Sequence, residues 1–195
     1  FENEKNGRAF IKKINRLKKQ SLFKVSLLNK FTDMLNLKDL IEPCMTGNHV
    51  ALISDAGCPC IADPGADLVM ICHENNIEVK PLVGPSSILL ALMASGLNGQ
   101  NFEFNGYLPI KNPEKRKFIK ELEKKSINTT QIFMETPYRN NQLLDAVLKT
   151  CSSETNLCIA SNVTGFNEKI ITRSIAEWKC FKISIDKQPT IFLIG

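Results

Sequence analysis

Tryptophan occurs once, tyrosine twice and histidine twice among the 195 residues, and no apolar run is longer than residues 88–94. A run that short is far below the about 20 residues that cross a bilayer. His49 and His73 have no partner pattern around them and are read as structural. No charged start with an apolar segment and a cleavage site opens the chain, so no secretory signal is expected. Repeats and low-complexity stretches are missing, and an ordinary 23% of charged residues excludes a disordered chain. The seven cysteines are an odd number, which speaks against a disulfide framework and fits a reducing, cytoplasmic setting. Cys58-Pro59-Cys60 with Cys72-His73 matches no zinc spacing, so no metal is expected. Cys72, Cys158 and Cys180 stand among apolar residues and read as small core side chains.

What is present is a globular composition. Hydrophobic residues make up 43%, enough for a real core, and the net charge of +5 permits a nucleic-acid partner without requiring one. The most informative stretch is 50–65. Its apolar residues 50–53 run into the small, acidic, Gly/Pro-rich loop Ser54-Asp55-Ala56-Gly57-Cys58-Pro59-Cys60-Ile61-Ala62-Asp63-Pro64-Gly65. A buried parallel strand whose carboxyl end opens into a ligand site has this pattern. Residues 78–83 repeat it, leading into Gly84-Pro85-Ser86-Ser87 and an apolar helix.

Helices are expected at 5–19 (with the stripe Ala9, Phe10, Ile11, Ile14, Leu17), 33–47, 65–75, 86–95, 113–125, 142–149 and 174–178. Strands are expected at 21–28, 50–53, 78–83, 102–107, 131–134, 156–162, 170–172 and 190–194. Such alternation means an α/β fold. The polar stretch Asn98-Gly99-Gln100-Asn101 places a boundary between an N-terminal domain, 1–98, and a C-terminal domain, 102–195.

Five ordered motifs carry a resemblance. They are Ser54-Asp55-Ala56-Gly57-x-Pro59 with Ala62-Asp63-Pro64-Gly65; Val83-Gly84-Pro85-Ser86-Ser87; Ala94-Ser95-Gly96-Leu97; Phe104-x-Gly106-Tyr107-Leu108-Pro109; and Glu135-Thr136-Pro137-Tyr138-Arg139. Together they resemble the tetrapyrrole methylase superfamily, in the branch that holds the 16S ribosomal RNA (cytidine-2′-O)-methyltransferases. The resemblance implies two α/β domains with an S-adenosylmethionine cleft between them, and a homodimer. The family's first strand and Pro/Gly loop have no counterpart here, and Glu2-Asn3-Glu4-Lys5 resembles its acidic segment after the second strand. The N-terminal domain is therefore expected without its first strand.

The cofactor-binding residues implied are Ser54, Asp55, Ala56, Gly57 and Pro59, with Gly84, Pro85, Ser86 and Ser87. Small residues let backbone approach a ligand, Asp55 accepts from an amine or hydroxyl, and free N–H groups open the helix at Ser86. A plain turn and an ordinary capped helix start are the competing readings. Asp63 is read as the cap of the helix that follows. Glu135 and Arg139 are either a solvated ion pair or a catalytic pair, in which Glu135 orients or deprotonates the acceptor and Arg139 meets substrate phosphate. Glu2 joins them as a catalytic candidate. Lys111, Lys115, Arg116, Lys117, Lys120, Lys124 and Lys125 form either a solvated helix face or an RNA-facing edge.

The expected function is methyl transfer to a ribose 2′-hydroxyl of small-subunit ribosomal RNA. Carbon methylation of a corrin or porphyrin is the enzymatic alternative, and a non-catalytic S-adenosylmethionine- or RNA-binding module is the third.

Overall fold

The computed structural model describes residues 1–16, 19, 21, 23–29, 32 and 34–195, with the side chains at 34–36 excepted. The chain divides into two compact units, Phe1–Pro85 and Ser86–Gly195. The polar stretch at 98–101 lies inside the second unit. Helix Ser87–Ser95 belongs there because its Ile88, Ala91 and Leu92 pack on that unit's sheet.

The first unit holds three helices among its described residues. Helix α1, Glu4–Ile14, starts at Asn3, whose side chain accepts from the Asn6 N–H. Its expected extension to 19 ends in a cap at Asn15, and Leu17 lies outside the described residues. Helix α2, Met34–Met45, stops ahead of Gly47, whose φ of +82° suits a left-handed helix end; position 33 lies outside the described residues. Helix α3 runs Ala66–Glu74. Leu28, Leu37, Ile41, Leu68 and Ile71 form the core of this unit.

The strands expected at 21–28, 50–53 and 78–83 are not formed among the described residues, position 22 being outside them. Residues 50–53 and 78–83 carry no ladder, and Val50 is 45%, Leu82 89% and Val83 fully exposed. An apolar run marks chain that is able to be buried in a sheet. It becomes a strand only where a neighbouring backbone takes up its N–H and C=O groups, and none of the described residues does so here.

The second unit is a mixed five-stranded sheet. It is built from α4 (Ser87–Ser95), β1 (Phe102–Tyr107), α5 (Asn112–Ser126), β2 (Thr130–Met134), a 3₁₀ turn (Pro137–Arg139), α6 (Asn140–Thr150), β3 (Asn156–Ser161), β4 (Lys169–Ser174), α7 (Ile175–Cys180) and β5 (Thr190–Ile194). The order is β1-β2-β5-β3-β4. Strands β1 and β2 are parallel around α5, and the other pairs are antiparallel.

Period-two alternation splits the strands between two cores. Phe133, Leu157, Ile159, Phe192 and Ile194 face α5, α6 and α7. Ile132, Cys158, Ala160, Ile191 and Leu193 face α4. The expected positions of all these elements agree with the sequence patterns to within a few residues. Cys158 is buried as expected and Cys151 joins it. Cys72 is half-buried and packs against the core of the first unit, as expected, whereas Cys180, at the end of α7, is exposed and is not a core side chain.

Helix α7 begins with a capping box. The Ser174 hydroxyl accepts from the Glu177 N–H, and Glu177 accepts from the Ser174 N–H and hydroxyl. Ser174→Ala is expected to cost about 1 kcal/mol. Urea unfolding followed by the fluorescence of Trp178, the sole tryptophan and 1% exposed, measures it.

Candidate functional site

In the first unit the loop after residue 53 folds tightly on itself. Gly57 and Gly65 have φ of +76° and +138°, and Cys60 and Ala62 share the left-handed region with φ of 68° and 59°. Two non-glycine residues there mark stored backbone strain. At Gly65 a Cβ would sit 2.6 Å from Leu52 Cδ2 and 2.8 Å from Cys60 Sγ, so only glycine fits.

Gly65, not Asp63, occupies the N-cap of α3, and no side chain caps that helix. Asp63 is two positions too early to reach the free N–H groups. It lies instead in an acidic group with Glu2 and Asp55. Burial first, then the charges of Glu2 and Asp55, push its carboxyl above the ordinary range.

Asp55 is held from both sides. Its Oδ2 accepts from Asn6 Nδ2 at 2.8 Å, and its backbone N–H donates to Glu2 Oε2 at 3.2 Å. Ser54 Oγ donates to the Gly57 carbonyl at 3.1 Å. Cys58 Sγ donates to the Pro85 carbonyl at 3.5 Å, which ties the 54–59 loop to Gly84 and Pro85. The structure thus brings Glu2, Ser54, Asp55, Ala56, Gly57, Pro59, Gly84 and Pro85 into one unit.

Gly57 and Gly84 are bare: a Cβ at either would meet no described atom within 4 Å. Open backbone beside three carboxylates fits a cationic, hydroxyl-rich ligand such as S-adenosylmethionine. Ser86 and Ser87 begin the second unit. Ser86 is the N-cap of α4, yet its hydroxyl makes no cap hydrogen bond, which leaves it available to a ligand.

In the second unit the central feature follows β2. Glu135 Oε1 accepts from the Thr136 N–H at 2.7 Å and from Arg139 Nη2 at 2.7 Å. The 3₁₀ turn at Pro137–Arg139 brings the arginine back over the strand end. The glutamate side chain is 1% exposed and that of the arginine 33%, so this is not a solvated surface pair. Glu135 Oε2 and Arg139 Nε are buried and have no hydrogen-bond partner among the described residues.

Burial by itself would raise the Glu135 carboxyl. The hydrogen bonds from Arg139 and Thr136 and the nearby charges of Arg139 and Lys115 outweigh it, holding the group below its ordinary value. Hydrogen bonding to Glu135 raises the arginine in turn. The folded carboxyl thus holds its proton less readily than the unfolded one. Its contribution to stability is complete above the ordinary value of 4.5 and is lost as pH falls through the lowered one. Asn140, first in α6, anchors the turn: its Nδ2 donates to the Gln188 carbonyl at 2.6 Å.

Sequence reasoning placed Lys115 with the surface lysines. It is 3% exposed, aligned on α5 with the buried Ile119, Leu122 and Ser126. That helical spacing was the available signal. Arg116, Lys117, Lys120, Lys124 and Lys125 are exposed. Lys125 bonds Glu103 at 3.1 Å.

The sequence pattern of the family described as Tetrapyrrole (Corrin/Porphyrin) Methylases matches residues 18–179. Among curated proteins, the Ribosomal RNA small subunit methyltransferase I of Vibrio cholerae is 34% identical over 154 residues, 79% of this chain and 53% of the relative. The protein of the same name from Mesorhizobium japonicum is 38% identical over 136 residues, 70% and 46% of the two chains. The chain spans about half the length of the curated relatives it matches. Among solved structures, the methyltransferase CobJ covers 92% of this chain and 78% of its own, with a TM-score of 0.59 and 16% identity. Cobalt precorrin-4 methyltransferase CbiF covers 93% and 81%, with a TM-score of 0.52 and 14% identity. At those identities the likeness concerns the fold.

Proposed function

The chain belongs to the tetrapyrrole methylase family, and from that premise we propose that it is an S-adenosylmethionine-dependent methyltransferase acting on a ribose 2′-hydroxyl of small-subunit ribosomal RNA. The names and 34–38% identity of the curated relatives support the RNA substrate. The observation that carries the chemistry is the buried Glu135 carboxylate with one oxygen bonded to Arg139 and the other without a partner. Tetrapyrrole methylation draws only on a likeness of fold at 14–16% identity, and is the lesser reading.

S-Adenosylmethionine, when bound, supplies a methyl group on a cationic sulfonium that is already activated for displacement. The protein's part is position and exclusion of water. Ser54, Asp55, Ala56, Gly57, Pro59, Gly84, Pro85, Ser86 and Ser87 would hold it. Asp55 accepts from its amine or hydroxyl groups, and the bare glycines admit it closely. Glu135 Oε2 accepts the hydrogen bond of the acceptor hydroxyl and takes its proton, leaving an oxygen electron pair for the methyl carbon. A carboxylate held below its ordinary value is a weak base, so orientation is the larger part of its contribution. Arg139, partly exposed beside it, meets the substrate phosphate. Glu2 contributes by holding the Asp55 backbone.

The proposal includes a homodimer, as the family resemblance implies, and a cytoplasmic location. The seven free cysteines support that location. None of the helices among the described residues is long and apolar enough to cross a membrane.

Titration calorimetry with S-adenosylmethionine and S-adenosylhomocysteine tests the cofactor assignment. Binding near micromolar is expected. Asp55→Ala and Ser86→Ala should each weaken it roughly tenfold, the loss of about one hydrogen bond to a charged or polar group. Unchanged affinity in both variants removes these loops from the cofactor site.

A further inference from the structure

Lys115 is an unusual buried residue. Lysine is almost never fully buried unless paired, yet this one is 3% exposed and forms no salt bridge within 4 Å among the described residues. It occupies the first position of the buried stripe of α5, above Ile119 and Leu122, where the pattern calls for an apolar side chain. Helix α5 packs against β2, and Glu135 is the residue that follows β2.

After β2, Glu135 Oε2 and Arg139 Nε are both buried and, among the described residues, unsatisfied. A buried acceptor without a donor is destabilising. The charges of Arg139 and Lys115 both act on this carboxylate, and among the described residues only Arg139 bonds it. The charges acting on the carboxylate are those of Arg139 from its own loop and Lys115 from α5, and Tyr107 at the end of β1 acts on Arg139.

We propose that Lys115 is a positioning residue for this site: from α5 it fixes the Glu135 carboxylate in the orientation set by Arg139, keeping Oε2 free for the hydroxyl of an acceptor nucleotide. The division of labour follows from the geometry. Arg139 takes Oε1 by direct hydrogen bonding and is committed to that contact. A second bonded cation on Oε2 would close the acceptor position. A cation beyond bonding distance keeps the carboxylate charged and leaves Oε2 without a committed donor. The inference rests on the methyltransferase reading for the identity of the acceptor, but the Lys115–Glu135 coupling itself does not.

The test uses the full chain, with Lys115→Met removing the charge and Lys115→Arg retaining it. The carboxyl carbon of Glu135 is followed by NMR against pH. In Lys115→Met its titration midpoint should rise, since loss of a neighbouring cation favours the protonated form. Methyl transfer to small-subunit RNA should lose roughly tenfold in kcat, its acid limb should move to higher pH, and the KM for S-adenosylmethionine should hold. Lys115→Arg should restore both the midpoint and most of kcat.

An unmoved midpoint in Lys115→Met overturns the proposal, as does an arginine variant no better than the methionine one. Should Lys115→Met not fold, the unmodified protein decides: the Lys115 Nζ resonance must follow the Glu135 titration, and independence of the two overturns the proposal. Absence of methyl transfer by the unmodified protein is failure of the methyltransferase reading alone, because the carboxyl titration still decides the role of Lys115.

Discussion

Glu135→Gln is expected to lower kcat for methyl transfer to small-subunit RNA by roughly 10²–10⁴-fold, the usual contribution of a positioned general base or orienting carboxylate. The substitution keeps the shape of the side chain and an oxygen for the Thr136 N–H. It removes the charge that Arg139 bonds at 2.7 Å, and it gives the acceptor hydroxyl either a weaker acceptor or a competing donor. Affinity for S-adenosylmethionine should hold, because the residues assigned to that ligand lie elsewhere in the chain. A variant with kcat within threefold of the parent, by the same accounting, has not lost a catalytic group.

The acid side of the profile gives an independent reading. With its carboxyl held low, Glu135 stays ionised well below neutrality, and activity should not fall through the range in which an unperturbed glutamate titrates, near 4.5, while the fold persists.

The second large effect concerns stability. Phe192→Ala should destabilise the second unit by about 3–5 kcal/mol. Its ring is fully buried and stacks on Phe133 with centroids 5.8 Å apart and planes 7° apart, at the middle of the sheet. Both belong to the face covered by α5, α6 and α7, so truncation empties a space bounded by rigid elements on every side. Trp178 reports on the same core: it is 1% exposed, and its indole N–H donates to the Leu157 carbonyl at 2.7 Å. A fall in the urea midpoint of Trp178 fluorescence at constant slope measures the effect. An unchanged midpoint means that the sheet face is not the core described.

The second unit was legible in the sequence because each element there carries its own periodicity and finds its partner nearby. The alternation of 102–107 and the short apolar runs at 131–134, 156–162 and 190–194 correspond to strands whose neighbours all lie between Phe102 and Ile194. In the first unit, apolar content misled. Residues 50–53 and 78–83 have the composition of buried strands, but hydrophobicity reports a preference for burial and not the presence of a ladder partner.

Boundaries were legible only where polarity and packing coincide. The stretch at 98–101 is polar because it is a turn at the surface of the second unit. The actual division precedes Ser86, in a segment whose Leu82 and Val83 are apolar and exposed.

Site residues show the same split. The proximity of Glu135 and Arg139 follows from their spacing around Pro137. That of Glu2 and Asp55 is a tertiary contact that no local pattern encodes. Lys115 was overlooked because its charge outweighed its helical position, although its spacing from Ile119 and Leu122 marks the buried face. Asp63 was misassigned because a cap depends on register, and Gly65, two residues further on, holds that place.

The most direct test of the account is to incubate the chain with S-adenosylmethionine labelled in its methyl group and with small ribosomal subunits, then digest the RNA in alkali. A methylated 2′-oxygen cannot attack the neighbouring phosphate, so the label should survive in an alkali-resistant dinucleotide, and Glu135→Gln should abolish it. Label released as mononucleotide, or transferred to a corrin or porphyrin but not to RNA, would contradict the assignment.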